Sequence, residues 1–128
     1  MKYLLDTHIW LWSLLEPEKL SQKVHAALQD AHHTFFLSPI TIWETLILAE
    51  KKRIILDKEP HDWIVEALQK SPVQEVPLTH SIALKSRLIL LPHEDPADRF
   101  IAATAWEYDL TLITEDDRLK KASQIKIF

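Results

Sequence analysis

The chain has 128 residues, of which 47% are hydrophobic and 27% charged, and its formal net charge is -4. That length suits one ordinary domain with one core, and the proportions exclude a disordered or fibrous chain. The acidic balance excludes nucleic-acid binding through bulk positive charge, while leaving room for an enzyme that meets phosphates through bound cations.

Missing residue types narrow the choice further. There is no cysteine, so disulfides, thiolate metal sites and thiol nucleophiles are excluded, and a metal would be held by oxygen or imidazole. Glycine and asparagine, the residues that adopt positive φ most cheaply, are also absent. That rules out the Gly-rich phosphate loop, the dinucleotide fingerprint and the G-x-S-x-G elbow. No apolar run approaches the roughly 18 to 20 residues needed to cross a bilayer, and Asp6 interrupts the apolar N-terminus where a signal peptide would continue. The expectation is a single domain over residues 1–128, located in the cytoplasm.

Taken in chain order, the apolar run at residues 2–5 predicts a strand and residues 7–15 a helix. A helix over 21–31 and a strand over 34–37 follow, then a helix over 39–52 opened by the Ser38-Pro39 pair. Next come a helix over 61–70, a strand over 73–76 and a helix over 79–88. Asp95-Pro96 opens a helix over 96–108, and the chain closes with a strand over 110–113, a short helix over 117–122 and a strand over 125–127. Pro17, Pro60, Pro72, Pro77 and Pro92 punctuate the joints.

Continuously apolar strands such as Tyr3-Leu4-Leu5 suit a parallel sheet buried on both faces, with helices as right-handed crossovers. The predicted fold is therefore α/β, a three-layer α/β/α sandwich around a central, mainly parallel five-stranded sheet. Its first helix, His8-Ile9-Trp10-Leu11-Trp12-Ser13-Leu14-Leu15, is apolar on nearly every side. Such a helix is either buried within the domain or used as a subunit or partner interface.

Ligands of an open parallel sheet bind beyond the carboxyl ends of its strands, which gives acids placed there special weight. Asp6 directly follows the first strand; it can cap the next helix or face the sheet's edge. Glu44 lies too far into its helix to cap it, flanked by Ile42, Trp43, Leu46 and Ile47, and either joins a site or belongs to a solvated stripe with Thr41 and Lys51. Asp95 reads as an N-cap, with Asp98 at the third helical residue, where capping explains it less well. Asp116 follows the strand ending at Ile113; Thr114 can cap the next helix with Asp117 at its third position, so Asp116 and Asp117 compete for a site role.

Carboxylates gathered in one cleft raise one another's pKa unless cations lie between them, and hard oxygen ligands select Mg²⁺ or Mn²⁺ over zinc. Such an ion polarises a phosphoryl oxygen, lowers the pKa of a bound water and stabilises the leaving oxygen, which makes phosphodiester hydrolysis the natural chemistry. His8 and His93 lie near these acids, and local packing or hydrogen bonding suits them better than ligation of such an ion. Lys51, Lys52, Arg53, Lys85, Arg87, Arg99 and Arg118 are candidates for RNA phosphate contact, set against a merely solvated basic surface.

The run Leu4-Leu5-Asp6-Thr7-His8-Ile9-Trp10-Leu11-Trp12 resembles the opening of PIN-domain proteins, in particular the VapC-type toxins of bacterial toxin-antitoxin pairs. Ser38-Pro39-Ile40-Thr41-Ile42-Trp43-Glu44 resembles that family's acidic helix. Asp95-Pro96-Ala97-Asp98-Arg99-Phe100-Ile101-Ala102-Ala103-Thr104-Ala105 resembles its third motif, and Leu112-Ile113-Thr114-Glu115-Asp116 its last. The resemblance implies metal ligation by Asp6, Glu44 and Asp98, with Asp116 as a fourth acid acting directly or through water and Thr114 as a supporting hydroxyl. It also implies Mg²⁺- or Mn²⁺-dependent endonucleolytic cleavage of RNA, a homodimer, and neutralisation by a cognate VapB-type antitoxin.

Two other functions compete. A metal-dependent phosphatase of the haloacid-dehalogenase type would want a second Asp two residues after Asp6, where His8 stands. A catalytically silent module would use the acidic pocket to grip an arginine of a partner.

Overall fold

A computed structural model describes all 128 residues. Its strands are β1 (Lys2–Leu5), β2 (Thr34–Leu37), β3 (Val73–Glu75), β4 (Thr111–Ile113) and β5 (Lys126–Ile127). The helices are α1 (Thr7–Leu15), α2 (Gln22–Gln29), α3 (Pro39–Glu50), α4 (Pro60–Lys70), α5 (His80–Leu88) and α6 (Pro96–Tyr108), with 3₁₀ turns at Pro17–Lys19 and Leu119–Lys121. The strands form one sheet in the order β3-β2-β1-β4-β5, and every neighbouring pair is parallel.

Successive side chains on a strand point to opposite faces, so a run of apolar residues feeds two cores at once. In β1, Tyr3 and Leu5 join Ile9, Trp10 and Leu11 of α1, Val24 of α2, Phe35 and Leu37 of β2, and Ala67 of α4. On the other face, Leu4 and Leu112 meet Ile101, Ala102 and Ala105 of α6, with Ile89 and Leu119 beside them. The sheet thus divides the interior into two cores where the chain length suggested one, and the helices flanking its two faces make the three-layer α/β/α arrangement expected from the sequence. Burial accounts for Ile9, Trp10 and Leu11 of the first helix, although Leu14 faces outward.

The chain begins in the middle of the sheet, runs outward through β2 and β3, then returns to place β4 on the other side of β1. At that reversal the loops after β1 and β4 leave in different directions and open a crevice beyond the strand ends. Tyr3 is in register with Phe35 on one side and Thr111 on the other, which brings Asp6 and Thr114 to the crevice as the residues following their strands.

Several boundaries differ from expectation. The short helix expected over 117–122 is only a 3₁₀ turn at Leu119–Lys121, because Asp116 turns the chain locally and the segment before that turn is not helical. The helix expected to reach Lys52 ends at Glu50, where Lys52 adopts φ 57°. Asp109 closes α6 in the same left-handed way, φ 52° and ψ 46°, with its N–H donating to the carbonyls of Ala105 and Trp106. In a chain without glycine, these helix ends force residues bearing a Cβ into a conformation that glycine would adopt without strain. No helix is long and apolar enough to cross a membrane.

Asp109 also pairs with Lys126 at 3.0 Å on the surface, an interaction worth at most about 1 kcal/mol. Asp109→Gly should relieve left-handed strain of about 1 to 2 kcal/mol and raise the unfolding free energy by about 1 kcal/mol or less. Urea denaturation would show this as a higher midpoint at unchanged slope; a lower midpoint would mean that the Lys126 pair outweighs the strain.

Candidate acidic site

Asp6 serves both roles that the sequence left open. It caps α1 by accepting from the Thr7 N–H at 2.8 Å, while its other oxygen accepts from the Thr114 hydroxyl at 2.7 Å. Its own N–H donates to the Ile113 carbonyl at 3.0 Å. The carboxylate is therefore fixed by two strand ends, and only 4% of the residue is exposed.

From Asp6 the polar contacts spread to α3. The Thr7 hydroxyl lies 3.0 Å from that of Thr41, and both threonines are buried. This corrects the expected solvated stripe, because Thr41 faces the interior while Lys51 is exposed. Glu44, one turn further along α3, is half-buried.

Asp95 is the cap of α6, accepting from the N–H groups of Ala97 and Asp98 at 3.0 and 3.4 Å. That leaves the Asp98 side chain free to bond His93, whose Nε2 lies 2.8 Å away. Thr114 does not cap a helix with Asp117: its hydroxyl accepts from the Asp116 N–H at 3.0 Å. Asp116 is half-buried and makes a turn of its own, accepting from the Arg118 N–H at 2.8 Å, whereas Asp117 is exposed. The Arg118 guanidinium then reaches Asp116 at 3.1 Å and Asp98 at 3.8 Å. Asp6, Asp116, Glu115, His8 and Trp12 line a hollow of about 230 Å³. A larger hollow of about 410 Å³, lined by Leu5, Trp10, Leu20 and Phe35 among others, contains no carboxylate, so size does not mark the acidic site.

The sequence pattern of the PIN domain family matches residues 3–125. The chain belongs to the PIN-domain family. Ribonuclease VapC22 of Mycobacterium tuberculosis is 35% identical over 120 residues, covering 91% of this chain and 88% of that protein. The structure of VapBC2 from Rickettsia felis bound to a DNA fragment from their promoter superposes with a TM-score of 0.75 at 16% identity, covering 100% of this chain and 98% of that one. FitAcB from Neisseria gonorrhoeae gives 0.67 at 24% identity, covering 98% and 96%. These likenesses show the PIN fold.

The electrostatics of this PIN domain are those of acids held together against their repulsion. Burial pushes the Asp6 carboxyl up to about 7, against the opposing bond from Thr114, and the charges of Asp98 and Glu44 add to the rise. Glu44 is raised first by burial, then by Asp98 and Asp95. Burial also raises Asp98, opposed by His93 and reinforced by Asp95 and Asp116. Asp116 moves the other way: burial works to raise it, but the bonds and charge of Arg118 outweigh that and hold it below the usual carboxylate range.

A set of buried oxygens at raised pKa fits a hard divalent cation. The trio of ligand atoms lying mutually within 4.8 Å is elsewhere, at Glu59, His61 and Asp62, all exposed. Capping of α4 by Glu59, which accepts from the Asp62 N–H at 3.1 Å, explains that group. At the crevice the carboxylates stand further apart, with the His93 ring and the Arg118 guanidinium against them.

Three of the candidate phosphate-binding cations are engaged elsewhere on the surface or at the acids: Lys85 with Glu107, Arg87 with Glu94, and Arg118 with Asp116. Arg99 is corrected outright, since it is buried and bonds backbone carbonyls. Lys51, Lys52 and Arg53 are exposed. His93 makes the local hydrogen bond expected of it, and His8 lies 5.8 Å from the Trp12 ring. The Thr7–Thr41 contact and Arg118's place between two acids were missed; hydrophobic periodicity carries no signal for either.

The raised Asp6 pKa sets a pH dependence. An unfolded aspartate titrates near 3.9, so folding takes up a proton between that value and about 7. The resulting destabilisation is absent below about pH 4, grows as pH rises, and is complete above about pH 7. In EDTA, Asp6→Asn should melt about 5 °C or more above the parent at pH 8, with the advantage shrinking at pH 5. A variant less stable at both pH values would show that the lost bonds to Thr7 and Thr114 dominate.

Proposed function

We propose that this PIN domain is an endoribonuclease dependent on a divalent ion, Mg²⁺ or in its place Mn²⁺, and the toxin of a VapBC-type toxin-antitoxin pair. The observation that carries the reading is the buried Asp6 carboxyl, raised to about 7 beside Asp98 and Glu44 at the sheet's topological reversal. Membership of the PIN family and the likeness to a protein named a ribonuclease direct the chemistry to RNA. Structural neighbours that are VapBC complexes direct the partnership to a VapB-type antitoxin. We further propose that residues 1–128 act as one nuclease domain, as a homodimer in the cytoplasm.

In this reading Asp6, Asp98 and Glu44 hold the ion, with Asp116 acting directly or through water. Bound there, a divalent ion supplies Lewis-acid activation of the phosphodiester and lowers the pKa of water. Thr114 and the Thr7 N–H fix the Asp6 carboxylate in one orientation, so little rearrangement is needed on binding. His93 fixes Asp98 in the same way. Water adds to phosphorus, one ester P–O bond breaks, and the leaving oxygen takes up a proton. Arg118, which offsets Asp116 and Asp98, is placed to meet the charge of the RNA backbone at the same edge.

Purified protein incubated with structured RNAs should cleave in Mg²⁺ or Mn²⁺ and stop in EDTA. Asp98→Asn should lower cleavage by a factor of about 100 or more, while its melting temperature in EDTA stays equal to the parent's or rises. Absence of metal-dependent cleavage across varied RNAs would sink the reading, and marked loss of stability in Asp98→Asn would assign Asp98 a structural role through its bond to His93.

A further inference from the structure

Arg99 is the one basic side chain in the interior, 6% exposed. Its Nε donates to the Ser86 carbonyl at 2.8 Å, Nη2 to the Ile89 carbonyl at 2.7 Å and Nη1 to the His93 carbonyl at 3.1 Å. No carboxylate pairs with it. A buried cation without a counter-ion is costly to maintain unless its donors are satisfied. Here the compensation comes from the C-terminal end of α5, where Ser86 lies in the last turn and Ile89 is the C-cap. The carbonyls there carry the negative end of the helix dipole and lack partners of their own.

The third contact explains what the guanidinium adds beyond closing α5. His93 lies in the connection between α5 and α6, and the same residue presents Nε2 to Asp98 at 2.8 Å. Its other nitrogen, Nδ1, is buried without a hydrogen-bond partner. Asp98 is thus the ring's one polar contact, and its place otherwise depends on the backbone that carries it. Arg99 holds that backbone. Asp98 and Arg99 are successive residues of α6, so the helix turns the carboxylate toward the crevice and the guanidinium toward the connection.

We propose that Arg99 is a positioning residue for Asp98, acting through the backbone of His93 to fix the imidazole that orients the carboxylate. This rests on the reading of Asp98 as a metal-holding residue. It also accounts for an arginine rather than a lysine: three carbonyls in different directions match the planar fork of a guanidinium, and a single ammonium cannot reproduce that reach.

The experiment compares Arg99→Lys, His93→Ala and the double variant, with Arg87→Met as a surface control on α5. Mn²⁺ affinity is measured by calorimetry, alongside thermal unfolding in EDTA. Each of the two single variants at Arg99 and His93 should weaken Mn²⁺ binding about tenfold, the double variant should be no weaker than the worse single one, and Arg87→Met should bind as the parent does. A lower melting temperature in Arg99→Lys with Mn²⁺ affinity within twofold of the parent would overturn the proposal, as would additive losses in the double variant. Should Arg99→Lys fail to fold, hydrogen exchange at the Arg99 Nε–H of the parent decides. Reciprocal linkage requires it to slow several-fold when Mg²⁺ saturates the protein, and an unchanged rate overturns the proposal. If the parent binds neither ion, the metal reading fails by itself. The His93 ring resonances then judge the clamp: displaced in Arg99→Lys but not in Arg87→Met they support it, and unmoved they refute it.

Discussion

The hydrogen bond from the Thr114 hydroxyl to Asp6 joins the ends of two adjacent parallel strands across 108 positions of sequence. Much of the crevice follows from it. With one oxygen committed to Thr114 and the other to the first N–H of α1, the carboxylate is held in one orientation at the wall of the hollow. The cap starts α1 at the sheet's edge, and Thr7, the first residue of that helix, meets Thr41 of α3. A single buried acid thereby orders the junction of β1, β4, α1 and α3.

The same acid is where the fold tolerates repulsion. Asp6, Glu44 and Asp98 are all raised by burial and by neighbouring carboxylates, while Asp116, beside Arg118, is lowered. The contrast comes from position: Asp116 sits on an outer loop where an arginine two residues away can reach it, and Asp6 lies behind a strand end where none can. Two arginines near these acids have opposite environments. Arg118 is half in water and meets carboxylates; Arg99 is inside and meets only carbonyls. Exposed and buried cations of one residue type thus serve separate purposes at neighbouring points of the fold.

The sheet was legible because Tyr3-Leu4-Leu5 and Leu110-Thr111-Leu112-Ile113 are apolar without alternation, a pattern that needs cover on both faces. Asp6 was legible from its place directly after such a strand, and the capping pattern at Asp95 correctly left Asp98 for other use. What escaped had identifiable causes. Contacts such as Thr7 to Thr41 join residues 34 apart and leave no periodic trace. Arg99 was grouped with the candidate phosphate contacts and the solvated basic surface, and only the geometry of α5's end shows what receives its charge. Helix ends were misjudged at Lys52, where no glycine announced a left-handed residue.

The topology has a consequence for timing. β1 can pair with β2 as soon as the first third of the chain is available, but its other edge waits for β4, which follows four further helices. During synthesis from the N-terminus, a chain still short of Thr114 has Asp6 beside an open strand edge and no hydroxyl to receive. The crevice therefore comes into being late, after nearly all of the fold's mass has been made. Placing one half of a site at the start of a chain and the other near residue 114 keeps an incomplete copy from having the site at all.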